Sequence, residues 1–150
     1  MLTIKARPFK DLYTDDIYEI LRLRSEVFVV EQNCVYQDID NKDQKAIHVL
    51  GYKGKDLVAY ARLFKPGYYF KAATIGRVVV KRNERANNYG RDIMIATIKA
   101  AEDYYKAAEI TVSAQTYLIV FYNELGFIEH GDTYLEDGIP HIRMTRSNDP

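Results

Sequence analysis

Residues 75–94 read IGRVVVKRNERANNYGRDIM. An apolar, strand-like run over 75–80 enters a basic, polar turn, and helical spacing takes over near Tyr89. A strand feeding a turn that opens a helix leaves the first N–H groups of that helix without intrahelical acceptors. Those donors, with the positive end of the helix dipole, suit a phosphate group. Arg82, Arg85 and Arg91 add guanidinium groups matched to phosphate oxygens. Asn87 and Asn88 equally fit a plain helix cap among solvated basic residues. On this stretch alone both readings stay open, a diphosphate cradle or a simple cap. No Gly-Lys-Ser/Thr follows, so it is not a nucleotide P-loop, and the dinucleotide G-x-G-x-x-G pattern is absent.

Working outward, residues 2–7 alternate as a first strand. Thr14 is placed to cap a helix whose first turn carries Asp15 and Asp16 and which runs to about Glu31. Residues 32–45, QNCVYQDIDNKDQK, read as a polar, acidic loop. AIHVLGYKG and DLVAYARLFK form a hairpin bent at Gly54, and Pro66-Gly67 marks a second turn. A central strand over 73–81 precedes a long amphipathic helix from near Tyr89 through Ile93, Met94, Thr97, Ile98, Ala101 and Tyr105. Residues 109–114 form a short strand. Thr116 can cap the next helix, which stops at Gly126. Extended structure resumes over 127–130, EDGIP makes a tight turn, and 141–145 is the last strand. The tail over 147–150, SNDP, is expected to fray. This order predicts one mixed-sheet α/β or α+β domain over residues 1–150.

Lys plus Arg and Asp plus Glu number 21 each in 150 residues, so no broad charge draws the chain to nucleic acid or to an anionic membrane. A domain of this length buries roughly 68–70% of its unfolded surface, enough for an ordinary core. No apolar run approaches a membrane span, and the N-terminus lacks a signal-peptide core. The single cysteine, Cys34, excludes an intrachain disulfide and fits a reducing cytoplasm.

The second informative stretch is FYNELGF over 121–127, which sets Tyr122 four residues before a glycine stop. With it, the chain resembles the GNAT-superfamily N-acetyltransferases. Their cofactor turn, Arg/Gln-x-x-Gly-x-Gly/Ala, matches Arg85-Ala86-Asn87-Asn88-Tyr89-Gly90, with Asn88 where glycine is usual. Their Asn-x6-Tyr-x3-Gly-Phe matches Gln115 through Tyr122 to Gly126-Phe127, with Gln115 in the place of Asn. Residues 21–43, AYARL over 59–63, IGRVVV over 75–80 and YLEDGIPHIRM over 134–144 resemble the ElaA-like branch and extend the likeness over most of the chain.

The resemblance implies a mixed, mostly antiparallel sheet flanked by helices and splayed near Val80, with acetyl-CoA as cosubstrate and no metal. It implies a diphosphate site over Arg85, Ala86, Asn87, Asn88, Tyr89, Gly90 and Arg91. A pantetheine arm would pair with Val78, Val79 and Val80 and reach Gln115. A backbone N–H near Val79 or Val80 would serve the oxyanion, and Tyr122 would be the general acid. Its other reading is a packed ring whose hydroxyl bonds a backbone carbonyl. His141, Glu31 and His48 are candidates to take the amine proton, His141 by its ordinary titration range and His48 more in keeping with a structural role inside a strand.

Asp38, Asp40 and Asp43 form D-x-D-x-x-D, which is not a calcium loop, because Asp43 replaces the required glycine and Val49 the closing Glu. The cluster would attract a cationic acceptor or be a solvated loop. Tyr36, Arg62 and Asp38 are candidate acceptor contacts, Arg77 an ion-pair anchor or a residue of the site, and Cys34 an incidental thiol. The expected activity is acetyl transfer to a primary amine of a small molecule or peptide, with a homodimer compatible. The rivals are a non-catalytic acyl-CoA-binding module and, weakest, a nucleic-acid binder using Lys81, Arg82, Arg85 and Arg91.

Overall fold

The computed structural model describes residues 1–148. Its centre is a seven-stranded sheet in the order β1-β2-β3-β4-β5-β7-β6. The strands are β1 (Thr3–Pro8), β2 (Ile47–Lys53), β3 (Asp56–Phe64), β4 (Ala73–Val80), β5 (Glu109–Gln115), β6 (Ile128–Glu136) and β7 (Ile139–Ser147). All neighbours pair antiparallel except β4 and β5, which are parallel. Three helices flank the sheet: α1 (Thr14–Arg24), α2 (Tyr89–Tyr105) and α3 (Ile119–Glu124). Among the described residues no helix is long and apolar enough to cross a membrane.

The two central hairpin strands are buried on both faces, so they read as continuous apolar runs. Val49, Ala61 and Leu63 pack into a core with Ile93, Met94, Ala100 and Ala101 of α2. Leu50, Tyr60 and Val79 face the opposite way, against Ile20, Leu23 and Val27 of the first helix. The expected turns hold their positions. Gly54 has φ +63°, and Asp137 and Gly138, at +52° and +78°, make the two-residue turn between β6 and β7.

Local details differ from expectation. Thr14 is the first helical residue of α1, because Asp16 Oδ2 reaches back 3.1 Å to the Tyr13 N–H and closes the helix start from inside. The helix does reach Glu31, but its last stretch, Ser25–Glu31, is π-helical. Thr116 makes no side-chain cap, since a 3₁₀ turn over Thr116–Leu118 precedes α3. Strand β6 is exposed along its whole length, so it carried too little apolar alternation to mark its span. In the expected fraying tail, Ser147 ends β7, and Asn148 donates from its backbone to Ala108 O at 2.7 Å and from Nδ2 to Ala107 O at 2.8 Å. Asp149 and Pro150 lie outside the described residues.

Candidate active site

The parallel contact of β4 with β5 is short, running only from Ala73 opposite Ile110 to Ile75 opposite Val112. Beyond Ile75 the strands part, so the splay opens four residues before Val80. The cause lies in β4. Tyr60 pairs with Val79 but Arg62 with Gly76, so one residue of β3 faces two of β4. This bulge holds Arg77 at φ +50°, a left-handed conformation that only a few per cent of non-glycine residues adopt. Lys81 N donates to Val58 O at 2.8 Å, which fixes the alternation. Val79 turns its backbone groups to β3, whereas Val80 and Val78 turn theirs into the gap. Val80 O there accepts Arg85 Nε at 3.0 Å. The open edge is thus Val78 and Val80, and Val79, expected as an oxyanion donor, faces the sheet.

At one end of this edge stands the start of α2. Asn88 takes the left-handed conformation, φ +61°, and makes no side-chain cap. The first intrahelical bond runs from Asp92 N to Asn88 O, leaving the earlier N–H groups, Tyr89, Gly90 and Arg91 included, without helical acceptors. A Cβ at Gly90 would meet Phe121 and Val80 only at 3.7 Å, ordinary contact. The protein's own packing therefore does not require glycine there. The bare backbone leaves room for a ligand phosphate to come close, as a coenzyme A diphosphate would. Arg85 does not add its charge freely to this cradle. Both oxygens of Glu31 accept from its guanidinium, at 2.5 and 2.8 Å.

At the other end a cavity of about 560 Å³ opens between the parted strands, lined among others by Val78, Gln115, Tyr122, Tyr36, Cys34 and His141. Tyr122 is buried, its ring edge-on to Phe121 and Phe127. Among the described residues its hydroxyl has no hydrogen-bond partner, so the carbonyl bond of the packing-only reading is absent. Burial, with Tyr117 nearby, pushes the hydroxyl well above its ordinary range and keeps it protonated. His141 is buried, with Nδ1 2.7 Å from Ile139 O. A carbonyl only accepts, so Nδ1 carries a proton, and the other ring nitrogen, Nε2, lies 3.5 Å from Glu136 Oε2.

The remaining candidates are placed differently. Glu31 is unsuited to act as a base, because the hydrogen bonds and charge of Arg85 hold its carboxyl below the usual range. His48 is a core group. Nδ1 contacts Tyr60 Oη at 2.6 Å and Nε2 contacts Asp43 O at 2.8 Å, while burial depresses its basicity. The acidic stretch is neither solvated nor a free anionic patch. Arg24 binds Asp38 at 2.9 Å and Asp43 at 2.7 Å, Arg62 binds Asp40 at 2.8 Å and Asp43 at 2.9 Å, and Arg77 Nε lies 2.8 Å from Asp38. Asp38 and Arg62 therefore face one another's network, and Tyr36 Oη donates to Asp38 at 2.9 Å. Cys34 Sγ sits 3.6 Å from Asp137 O. Sequence reasoning missed Tyr134, Glu136 and Arg143 as cavity residues. The register Tyr134 opposite His141 would have shown the first of these had the span of β6 been read. Among the described residues no cluster of three or more His, Cys, Asp and Glu is placed to hold a metal ion.

Comparison with known proteins agrees with this fold. A family model described as an acetyltransferase (GNAT) domain matches residues 12–147. Protein ElaA of Escherichia coli (strain K12) is 41% identical over 138 residues, 91% of this chain and 90% of that protein. The crystal structure of an acyl-CoA N-acyltransferase from Pseudomonas aeruginosa superimposes with TM-score 0.92 at 36% identity, covering 98% of this chain and 100% of the other. That of Escherichia coli ElaA gives TM-score 0.91 at 38% identity, with the same coverage.

Proposed function

The chain belongs to the acetyltransferase (GNAT) domain family, and on that premise we propose that it transfers an acetyl group from acetyl-CoA to a primary amine of a small molecule or peptide by direct attack. The observation that carries this reading is Tyr122, a locked ring whose protonated, unpartnered hydroxyl lines the cavity beside the open edge of β4.

Each residue then has a task. The uncapped start of α2, with Asn88 and the bare backbone at Gly90, receives the diphosphate. Val78 and Val80 offer backbone donors and acceptors to the pantetheine arm, and the Val78 N–H is the donor assigned here to the oxyanion. Gln115, which lines the cavity, adds an amide at the same edge. His141 Nε2 takes the proton that the ammonium must lose before it can attack. Tyr122 gives its proton to the departing thiolate.

The test is a pair of measurements on Tyr122→Phe. Coenzyme A binding should be unchanged, followed by thermal shift against ATP as a control. Thiol release with an amine acceptor should fall by roughly 10²-fold or more. Undiminished turnover would remove Tyr122 from the mechanism. Failure of the unaltered protein to bind either acetyl-CoA or coenzyme A would remove the acetyltransferase reading itself.

A further inference from the structure

The charges in and behind the cavity wall divide into two sets. Three arginines, Arg24, Arg62 and Arg77, face three aspartates, Asp38, Asp40 and Asp43, in one closed network. Their charges balance, so the acidic loop offers nothing to a polycation. Two cations of the lining stand outside it. Among the described residues, neither Lys42 nor Arg143 reaches a carboxylate within ion-pair distance. Each lies instead over an aromatic ring of the same turn, Lys42 Nζ 4.7 Å from the centre of Tyr69 and the Arg143 guanidinium 4.1 Å from that of Phe70. An aromatic face orients a cation without neutralising it.

The negative counterpart lies at the β6–β7 turn. Glu136 and Asp137 line the same cavity, and Glu136 Oε2 stands 3.5 Å from His141 Nε2. The strand fixes the spacing. Ile142 and Met144 of β7 are buried in the core, so His141 and Arg143 share the opposite face, the one lining the cavity. Two residues along a strand are about 6.8 Å apart. The cavity is therefore negative where the amine proton is to be removed and positive a few bonds away.

We propose that the acceptor is a small amine that also carries a carboxylate, an amino acid in kind, with its ammonium end at Glu136 and His141 and its carboxylate at Arg143 and Lys42. This rests on the acyl-transfer reading and specifies its substrate class. Arg143 and Lys42 are specificity residues. They hold the far end of the acceptor and take no part in the proton transfers.

The experiment compares the twenty L-amino acids with their carboxamides, their decarboxylated amines and spermidine, each with acetyl-CoA, following thiol release. Amino acids should be preferred. Arg143→Gln should raise KM for the preferred amino acid by roughly tenfold, with kcat little changed. Arg143→Lys should recover part of the loss, and Lys42→Gln should show a smaller effect of the same kind. Equal or better turnover of carboxamides or spermidine would overturn the proposal, as would an unaltered preference in Arg143→Gln. Absence of thiol release with every amine would count against acyl transfer instead. Calorimetric titration of the same amino acids into the coenzyme A-saturated protein then decides the acceptor proposal. Binding that Arg143→Gln weakens supports it, and no binding overturns it.

Discussion

Two sets of arginine–carboxylate contacts border the cleft, and they differ in burial. Arg24, Arg62 and Arg77 meet their aspartates inside its wall, where the side chains of Arg24 and Arg62 are 0% and 3% exposed. Arg85 meets Glu31 at the solvent edge, its own side chain 42% exposed. Close contact is common to both. What differs is the cost of removing one partner. A lone charge inside the wall has nowhere to be hydrated, while at the edge water replaces the missing partner. The inner set therefore fixes the loop over residues 38–43 against β3 and β4. The outer pair trims the entrance and can be altered without loss of the fold.

The largest expected effect breaks the inner set. Arg24→Met leaves Asp38 and Asp43 short of a buried counter-charge and should cost about 3–5 kcal/mol, read from the shift of the denaturant midpoint. A loss below about 1 kcal/mol would mean that the two sets do not differ in kind. Next comes Tyr122→Phe, which touches neither set. Its hydroxyl has no partner to lose, so stability should hold while turnover falls, and a matching fall in melting temperature would reveal a structural hydrogen bond instead.

The third effect is one of pH. Burial pushes Asp40 upward, but Arg62 and Arg77 outweigh it and bring it to about 2. Asp43 and Asp16 are also held below the ordinary value against burial, by Arg24 and Arg62 and by Tyr52 and Lys5. Depressed carboxylates stabilise the fold above their unfolded value near 3.9 and lose that contribution as pH falls through the folded value. Asp40 is part-exposed and its ion pairs are screened, so this is about 1–2 kcal/mol, lost between roughly pH 4 and pH 2. His48 acts earlier. Its neutral form is the buried one, so stability should begin to fall below about pH 6.5, where the unfolded chain takes up the proton first. Unfolding curves measured from pH 8 to pH 2 should show both steps, and His48→Gln should remove only the upper one. The smallest effect belongs to the outer pair. Glu31→Gln should change stability by less than about 1 kcal/mol, and coenzyme A affinity should rise slightly as Arg85 is released; a drop in stability as large as that of Arg24→Met would erase the contrast.

The same contrast explains what could be read from the sequence. The strand, turn and helix over 75–94 were legible because apolar periodicity and helix-start chemistry are local, and so was the stop at Gly126, which takes φ +90°. Tyr122 was found by its spacing from that glycine. The acidic loop was misread as solvated or cation-attracting because its partners come from α1, β3 and β4, distant in sequence and joined only by the fold. Glu31 was misread for the same reason, since Arg85 stands 54 residues away. The bulge at Arg77 left no local mark, because arginine is not a residue whose presence announces a positive φ.

That bulge also gives the cleft its reading frame. Side chains and backbone groups alternate along a strand with a period of two, so one added residue decides which side everything beyond it faces. Were β4 to pair evenly with β3 beyond Gly76 with Arg77 as an ordinary strand residue, Arg77 would stand opposite Ala61 and Val78 opposite Tyr60. Val79 would then turn its backbone into the gap in place of Val78 and Val80, and its side chain would leave the layer it shares with Tyr60. Two substitutions on either side of the cleft could be lethal to its chemistry and leave its outline intact. Flattening this one bulge would keep every side chain of the site in the chain and present the wrong atoms to the substrate.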